Sequence, residues 1–276
     1  MTMREIFCSP MRFFADPPGK PALFLMHGFM SSRNHWRLNE PALRSRYRLI
    51  IAELPGHGNT PPCSDPAQIS PDVLSECIEE ARRALNISRW HVCGQSFGAG
   101  LVLRYALNHP EGVAALAWTN ANRVLMGPLS SEEISQLHRR GDRVEQGGLD
   151  ALRQERVYPG TARYFPPEMR ELLGREADNC DPATIAAIIR HALSYVTVRD
   201  RFAQLAMPVV LINGLRERSF QTLRDQAAAL LPSMEIVDLD GGHSINIEQP
   251  AAFDSALLDF LARHDKLLAP QSGVLA

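Results

Sequence analysis

No long apolar run occurs in this sequence. Nothing approaches the roughly 18 consecutive apolar residues of a membrane-spanning helix, and the opening "MTMREIFCSPMRFF" has no signal-peptide core. Paired cysteines are missing as well. The five cysteines, Cys8, Cys63, Cys77, Cys93 and Cys180, are odd in number and none has zinc-finger or redox-motif spacing. Reduced thiols in a cytoplasmic protein are expected, rather than a disulfide framework. Neither sign of charge is in excess. A net charge of -2 over 276 residues gives no global pull toward nucleic acid or an anionic membrane. No HExxH and no Cys/His pair points to a metal, so no metal or cofactor is expected. The expected partner is a small-molecule substrate, and the composition leaves the oligomeric state open.

What is present is 45% hydrophobic content, enough for one large domain or a domain with an insertion. Strand-like and helix-like segments alternate, which predicts an α/β fold with a mostly parallel, doubly wound sheet. "REIFCSP" and "MRFFAD" suit an opening hairpin. "PALFLMHG", "YRLIIAEL", "WHVCG" and "GVAALAWTN" are apolar runs of the kind found in strands buried on both faces. "SPDVLSECIEEARRAL" begins with a cap-like Ser70 and a proline in its first turn, and keeps helical spacing. From about 123 to 206 the alternation stops. That stretch is helical and polar, broken by "GG", "YPG" and "FPP", and suggests about four short helices. At Met207 the alternation resumes with "PVVLING", "TLRDQAAALL", "MEIVDLD" and "AAFDSALLDFLARH". The expected organisation is a core of residues 1–122 and 207–276 with a helical cap, 123–206, inserted into it. The tail "PQSGVLA" is expected to fray.

Between "WHVCG" and the helix "SFGAGLVLRYAL" lies Gly94-Gln95-Ser96-Phe97-Gly98. A G-x-S-x-G pentapeptide between a strand and a helix predicts a strained turn that projects the serine hydroxyl from the carboxyl end of the sheet. The free N–H groups and positive dipole end of the following helix favour an oxyanion there. A serine needs an adjacent base. Among nine histidines, His243 in "DGGHSINIEQP" is the best placed, on a glycine-softened loop between the last strand and the last helix. His35, His57 and His109 suit turn or packing roles better.

"HGF", "LPGHGNT", "GQSFG" and "GGHSINIEQP" together resemble the α/β-hydrolase family over nearly the whole chain. The order nucleophile, acid, histidine is the order of that fold. The resemblance implies oxyanion donors at the backbone N–H groups of Phe97 and Phe29. It also implies an acid after the strand that follows the cap, where "LINGLRERSF" offers Glu217, although aspartate is commoner in the family. Asp240 is the runner-up for the acid. A second position used by some members, after "VAALAWTN", holds Asn120 and Asn122 and no carboxylate. Whether Arg216 or Arg218 touches Glu217 is left open.

The cap is expected to lie over Ser96 as a lid. Met30, Gln95, Trp118, Asn120, Leu125, Tyr195 and Phe220 are the expected substrate contacts, favouring a small, largely apolar group. The implied activity is hydrolysis of a carboxylic ester, lactone or thioester through an acyl-enzyme. Alternatives are carbon–carbon bond hydrolysis or a menaquinone-pathway-like lyase reaction with the same triad, or a non-enzymatic small-molecule binder on this fold. "GLRERSF" and "LPGHGNT" are similar to that lyase. It typically carries an arginine two residues beyond the elbow's last glycine, where this chain has Gly100.

Overall fold

A computed structural model describes residues 3–268. The tail "PQSGVLA" lies outside them. Two short strands, β1 (Arg4–Cys8) and β2 (Met11–Ala15), form the antiparallel opening hairpin. They are followed by β3 (Ala22–Met26), α1 (Glu40–Arg46), β4 (Arg48–Glu53), α2 (Pro66–Ile69), α3 (Pro71–Ala84), β5 (Trp90–Gly94), α4 (Phe97–Asn108) and β6 (Val113–Thr119). After a helical segment come β7 (Val209–Gly214), α8 (Arg218–Leu230), β8 (Glu235–Leu239), α9 (Ile245–Glu248) and α10 (Pro250–Ala262). The eight strands form one sheet in the order β1-β2-β4-β3-β5-β6-β7-β8. β2 pairs antiparallel with β4, and every pair from β4 to β8 is parallel. The sheet is thus the mostly parallel, helix-covered one expected.

Burial explains the composition of each strand. β3, β5, β6 and β7 are buried at every position, as strands covered on both faces must be. The edge strand β8 is only half-buried and carries Glu235 and Asp238. Helix α3 starts where its Ser70 hydroxyl accepts the Val73 N–H with Pro71 in the first turn, an N-cap that satisfies an otherwise orphaned donor. Among the described residues no helix is long and apolar enough to cross a membrane.

Between β6 and β7 the described chain is helical. Its elements are α5 (Ser131–Arg153), α6 (Pro167–Asp178) and α7 (Pro182–His191), with 3-10 turns at Pro159–Thr161 and Arg199–Gln204. Helix α5 is longer than the short helices expected, and it kinks at Gly148, whose φ of 56° no ordinary helix contains. Hydrogen bonds tie this segment to the loops above the sheet. Asn34 donates to the Glu176 carboxylate at 2.5 Å, and Ser32 donates to the same carboxylate. The Cys63 N–H donates to the Thr184 hydroxyl at 3.0 Å.

A buried polar chain runs beneath the loop after β3. Ser31 Oγ meets His35 Nδ1 at 3.0 Å, and His35 Nε2 meets Asn246 Oδ1 at 3.1 Å. Asn246 donates to Asn39 at 3.1 Å, and Asn39 donates to Asp254 at 2.8 Å. Burial raises the Asp254 carboxyl to about 6 despite the Asn39 bond, which pulls the other way. The folded state therefore holds its proton more tightly than the unfolded chain does. Stability from this group is full at pH below the unfolded value near 4 and is lost as pH rises through about 6, by up to about 3 kcal/mol. Asp254→Asn keeps the acceptor and removes the ionisation. It is expected to raise Tm by roughly 5 °C at pH 8 and by almost nothing at pH 4. Thermal unfolding at the two pH values checks this, and a variant less stable than the parent at pH 8 contradicts it.

Candidate active site

The serine stands where β5 turns into α4. Ser96 has φ 54° and ψ -117°, a left-handed conformation costly for a residue with a Cβ. The turn is tight because α4 starts immediately and packs hard against the sheet. A Cβ on Gly98 would strike the carbonyl oxygens of Met26 and His27, and one on Gly94 would strike that of Gly98. Both glycines are therefore required by close backbone approach. Phe97 is the first residue of α4, so its N–H has no intrahelical acceptor.

The loop after β3 is held by two buried histidines. His57 Nε2 accepts the Met30 N–H at 3.0 Å, while its Nδ1 donates to the Pro55 carbonyl at 2.8 Å. Burial lowers His57 to about 4, so the ring is neutral and its tautomer is set by these two bonds. Met30 has φ 56°, a strained position that the His57 bond helps to hold. His27 Nδ1 donates to the Gly28 carbonyl at 2.7 Å and its Nε2 accepts the Leu54 N–H at 3.3 Å. These contacts give both rings structural work beside Phe29.

His243 sits on the loop between β8 and α9. Its Nε2 lies 2.8 Å from Ser96 Oγ, and its Nδ1 lies 3.0 and 2.9 Å from the two oxygens of Glu217. With Nδ1–H donating to the carboxylate, Nε2 is left to accept the serine proton. Gln95 Nε2 donates to the His243 carbonyl at 3.2 Å, and the Gly242 N–H donates to Glu248 at 2.7 Å, so the loop is pinned on both sides.

Glu217 projects from the turn after β7. Gly214 ends that strand, and a Cβ there would collide with the Gly242 carbonyl. Only glycine lets the Glu217 turn and the His243 loop lie against each other. Asn120 clamps the same strand end, accepting the Gly214 N–H at 2.8 Å and donating to its carbonyl at 3.0 Å. Asn122 donates to Glu217 Oε1 at 2.6 Å. Burial pushes the Glu217 carboxyl up, but the hydrogen bond and charge of His243, with help from Asn122 and Asn120, outweigh it and hold it below the usual carboxylate range.

The flanking arginines do not pair with Glu217 among the described residues. Arg216 turns away and grips Asp240 through two bonds of 2.8 and 2.7 Å, which also occupies the runner-up carboxylate. Its guanidinium lies 5.6 Å from the Tyr164 ring, in the segment between β6 and β7. Arg218 lines the cavity and forms no ion pair among the described residues.

A cavity of about 1120 Å³ opens above Ser96 between the sheet edge and the helical segment. Phe29, Met30, Gln95, Phe97 and His243 line it, together with Tyr158 and Phe165 from above. Five expected substrate contacts lie elsewhere. Trp118 and Phe220 pack edge-on with centroids 6.0 Å apart, both fully buried, and Leu125 is buried in the same core. Asn120 is spent on Gly214. Tyr195 is 36% exposed outside the cavity, and its carbonyl accepts from Arg104. Seven arginines share the lining with these apolar groups.

Sequence reasoning missed the Asn122 bond to Glu217 and the arginines that line the cavity. The signal for Asn122 was its place at the alternative acid position after β6. For a metal, the described residues offer one cluster, Glu79, His109 and Glu111, with candidate ligand atoms within 4.8 Å of one another. Glu79 is already engaged by Arg82, Arg83 and Tyr105, and the cluster lies outside the cavity.

The class follows from this strand–serine–helix elbow and parallel sheet. The sequence pattern of the α/β hydrolase fold matches residues 21–250, and the chain belongs to that family. The chain is 35% identical over 269 residues to the dihydrolipoyllysine-residue acetyltransferase component of the acetoin cleaving system of Pseudomonas putida; the match covers 89% of this chain and 65% of that protein. Its fold is similar to the enol-lactonase from Burkholderia xenovorans LB400, with TM-score 0.82 and 19% identity over 94% of this chain and 100% of that one. A thermophilic esterase from Thermogutta terrifontis is similar too, with TM-score 0.79 and 20% identity over 96% of this chain and 100% of that one.

Proposed function

We propose that this protein is a serine hydrolase of carboxylic esters, lactones or thioesters. The observation that carries the reading is the continuous chain of contacts from Ser96 Oγ through His243 to Glu217. Ser96 attacks the carbonyl carbon while His243 Nε2 takes its proton. The oxyanion that forms accepts hydrogen bonds from the N–H groups of Phe29 and Phe97. His243, held as an imidazolium by Glu217, returns the proton to the leaving alcohol or thiol, and an acyl-enzyme remains. Water then attacks the acyl carbon, again deprotonated by His243, and the carboxylic acid leaves with Ser96 restored.

A panel of nitrophenyl esters of rising chain length tests this. The expected result is turnover at one or more chain lengths, with a burst of nitrophenol equivalent to the enzyme if deacylation is slow. No turnover across the panel, with Ser96 still reactive toward an active-site label, moves the reading to carbon–carbon cleavage by the same residues.

The loop after β3 provides a second test. Removing the His57 acceptor leaves the buried Met30 N–H unsatisfied and frees the loop that carries Phe29. His57→Phe is expected to lower kcat by roughly 10- to 100-fold with a smaller change in KM. Steady-state kinetics on a variant with an unchanged circular dichroism spectrum checks this, and an unchanged kcat contradicts it.

A further inference from the structure

The hydrolase reading leaves the arginines of the cavity unexplained. Seven arginines line it against three carboxylates, Glu155, Glu217 and Glu248. All three carboxylates are occupied. Glu155 is gripped by Arg140, Glu217 by His243 and Asn122, and Glu248 by the Gly242 N–H. Arg216 is spent on Asp240. Arg143, Arg156, Arg163 and Arg218 form no ion pair among the described residues, and Arg123 only approaches Glu133, at 3.9 Å. So many cations facing one concavity repel one another unless an anion joins them.

Arg123 is the most constrained of the five. It follows Asn122, the partner of Glu217, and its side chain is 27% exposed. Its Nε is buried and has no hydrogen-bond partner. Arg123 lines the cavity with no close carboxylate partner, and a guanidinium suits a planar carboxylate. Phe29, Met30, Phe97, Val124 and Val196 add apolar surface to the same lining. The cavity is therefore lined by both apolar side chains and guanidinium groups.

We infer that the substrate is amphipathic and anionic: an ester, lactone or thioester whose far end carries a carboxylate that Arg123 binds. The exposed Arg143, Arg156, Arg163 and Arg218 attract it to the mouth. This rests on the hydrolase reading for the bond cleaved, but the recognition is separable from the chemistry.

The test therefore reads binding without turnover. Monomethyl adipate, an anion, and dimethyl adipate, its neutral counterpart, are titrated into the Ser96→Ala protein by calorimetry. The monoester is expected to bind about tenfold or more tightly than the diester, and the advantage shrinks as salt rises from about 0.05 to 0.5 M. Adding Arg123→Gln cuts the ratio of the two affinities about tenfold. Adding Arg175→Gln, on a surface pair with Glu171 outside the cavity, leaves that ratio unchanged. Should Arg123→Gln not fold, an Arg156→Gln/Arg163→Gln variant of exposed residues carries the same test. Equal binding of the two esters, or a ratio that survives these changes, overturns the inference. Failure of the nitrophenyl panel and of Ser96 labelling strikes the hydrolase reading instead and leaves this result to stand or fall by itself.

Discussion

Ser96→Ala is expected to lower kcat on the best nitrophenyl ester by about 10⁴-fold or more. The nucleophile is lost, while the cavity, the two candidate oxyanion donors and the histidine loop stay in place. The fold should tolerate the change. Alanine inherits the same φ of 54° and its backbone cost, and Ser96 Oγ makes no bond recorded among the described residues beyond the one to His243. KM should move little, because the hydroxyl contributes little ground-state binding. What activity remains comes from the oxyanion donors and bound water. Steady-state kinetics with a circular dichroism control reads this out. A variant that keeps more than about a hundredth of the parent rate excludes Ser96 as the nucleophile.

Glu217→Gln is expected to cost about 10³- to 10⁴-fold in kcat. The reason is the partner that Glu217 shares. With its carbonyl oxygen kept on Asn122 at the Oε1 position, a glutamine places its NH₂ where Oε2 now lies, 2.9 Å from His243 Nδ1. Nδ1 then has to accept, the ring proton moves to Nε2, and the imidazole can no longer take the serine proton. The imidazolium also loses its counter-charge. Glu217→Asp restores the charge one methylene short of both partners, and it should recover part of the loss. Near-parent turnover in the Gln variant removes Glu217 from the mechanism.

The legible parts of the molecule were those in which a local pattern has one structural meaning. A glycine-flanked serine between a buried strand and an amphipathic helix has few other places to be, and the turn that follows has to open on the strand ends. The acid was harder. Its position follows from chain order, but its freedom from Arg216 depends on Asp240, which lies 24 residues away on another loop. No local reading could decide which way that guanidinium would turn. The substrate contacts failed for a related reason. Strand β6 is buried along its whole length, so alternation cannot say which side chains reach the cavity and which, like Trp118, pack under it. Between β6 and β7, the backbone breaks helical geometry at Gly148, and Arg140 and Arg143 on the preceding part of α5 line the cavity. A helix read as separate short pieces carries no such information.

Mass spectrometry after a fluorophosphonate tests the central claim most directly. The account predicts a single covalent adduct on the peptide carrying Ser96, no adduct in Ser96→Ala, and labelling slowed strongly in Glu217→Gln because the serine is activated through His243. An unlabelled parent protein, or an adduct that persists in Ser96→Ala, contradicts it.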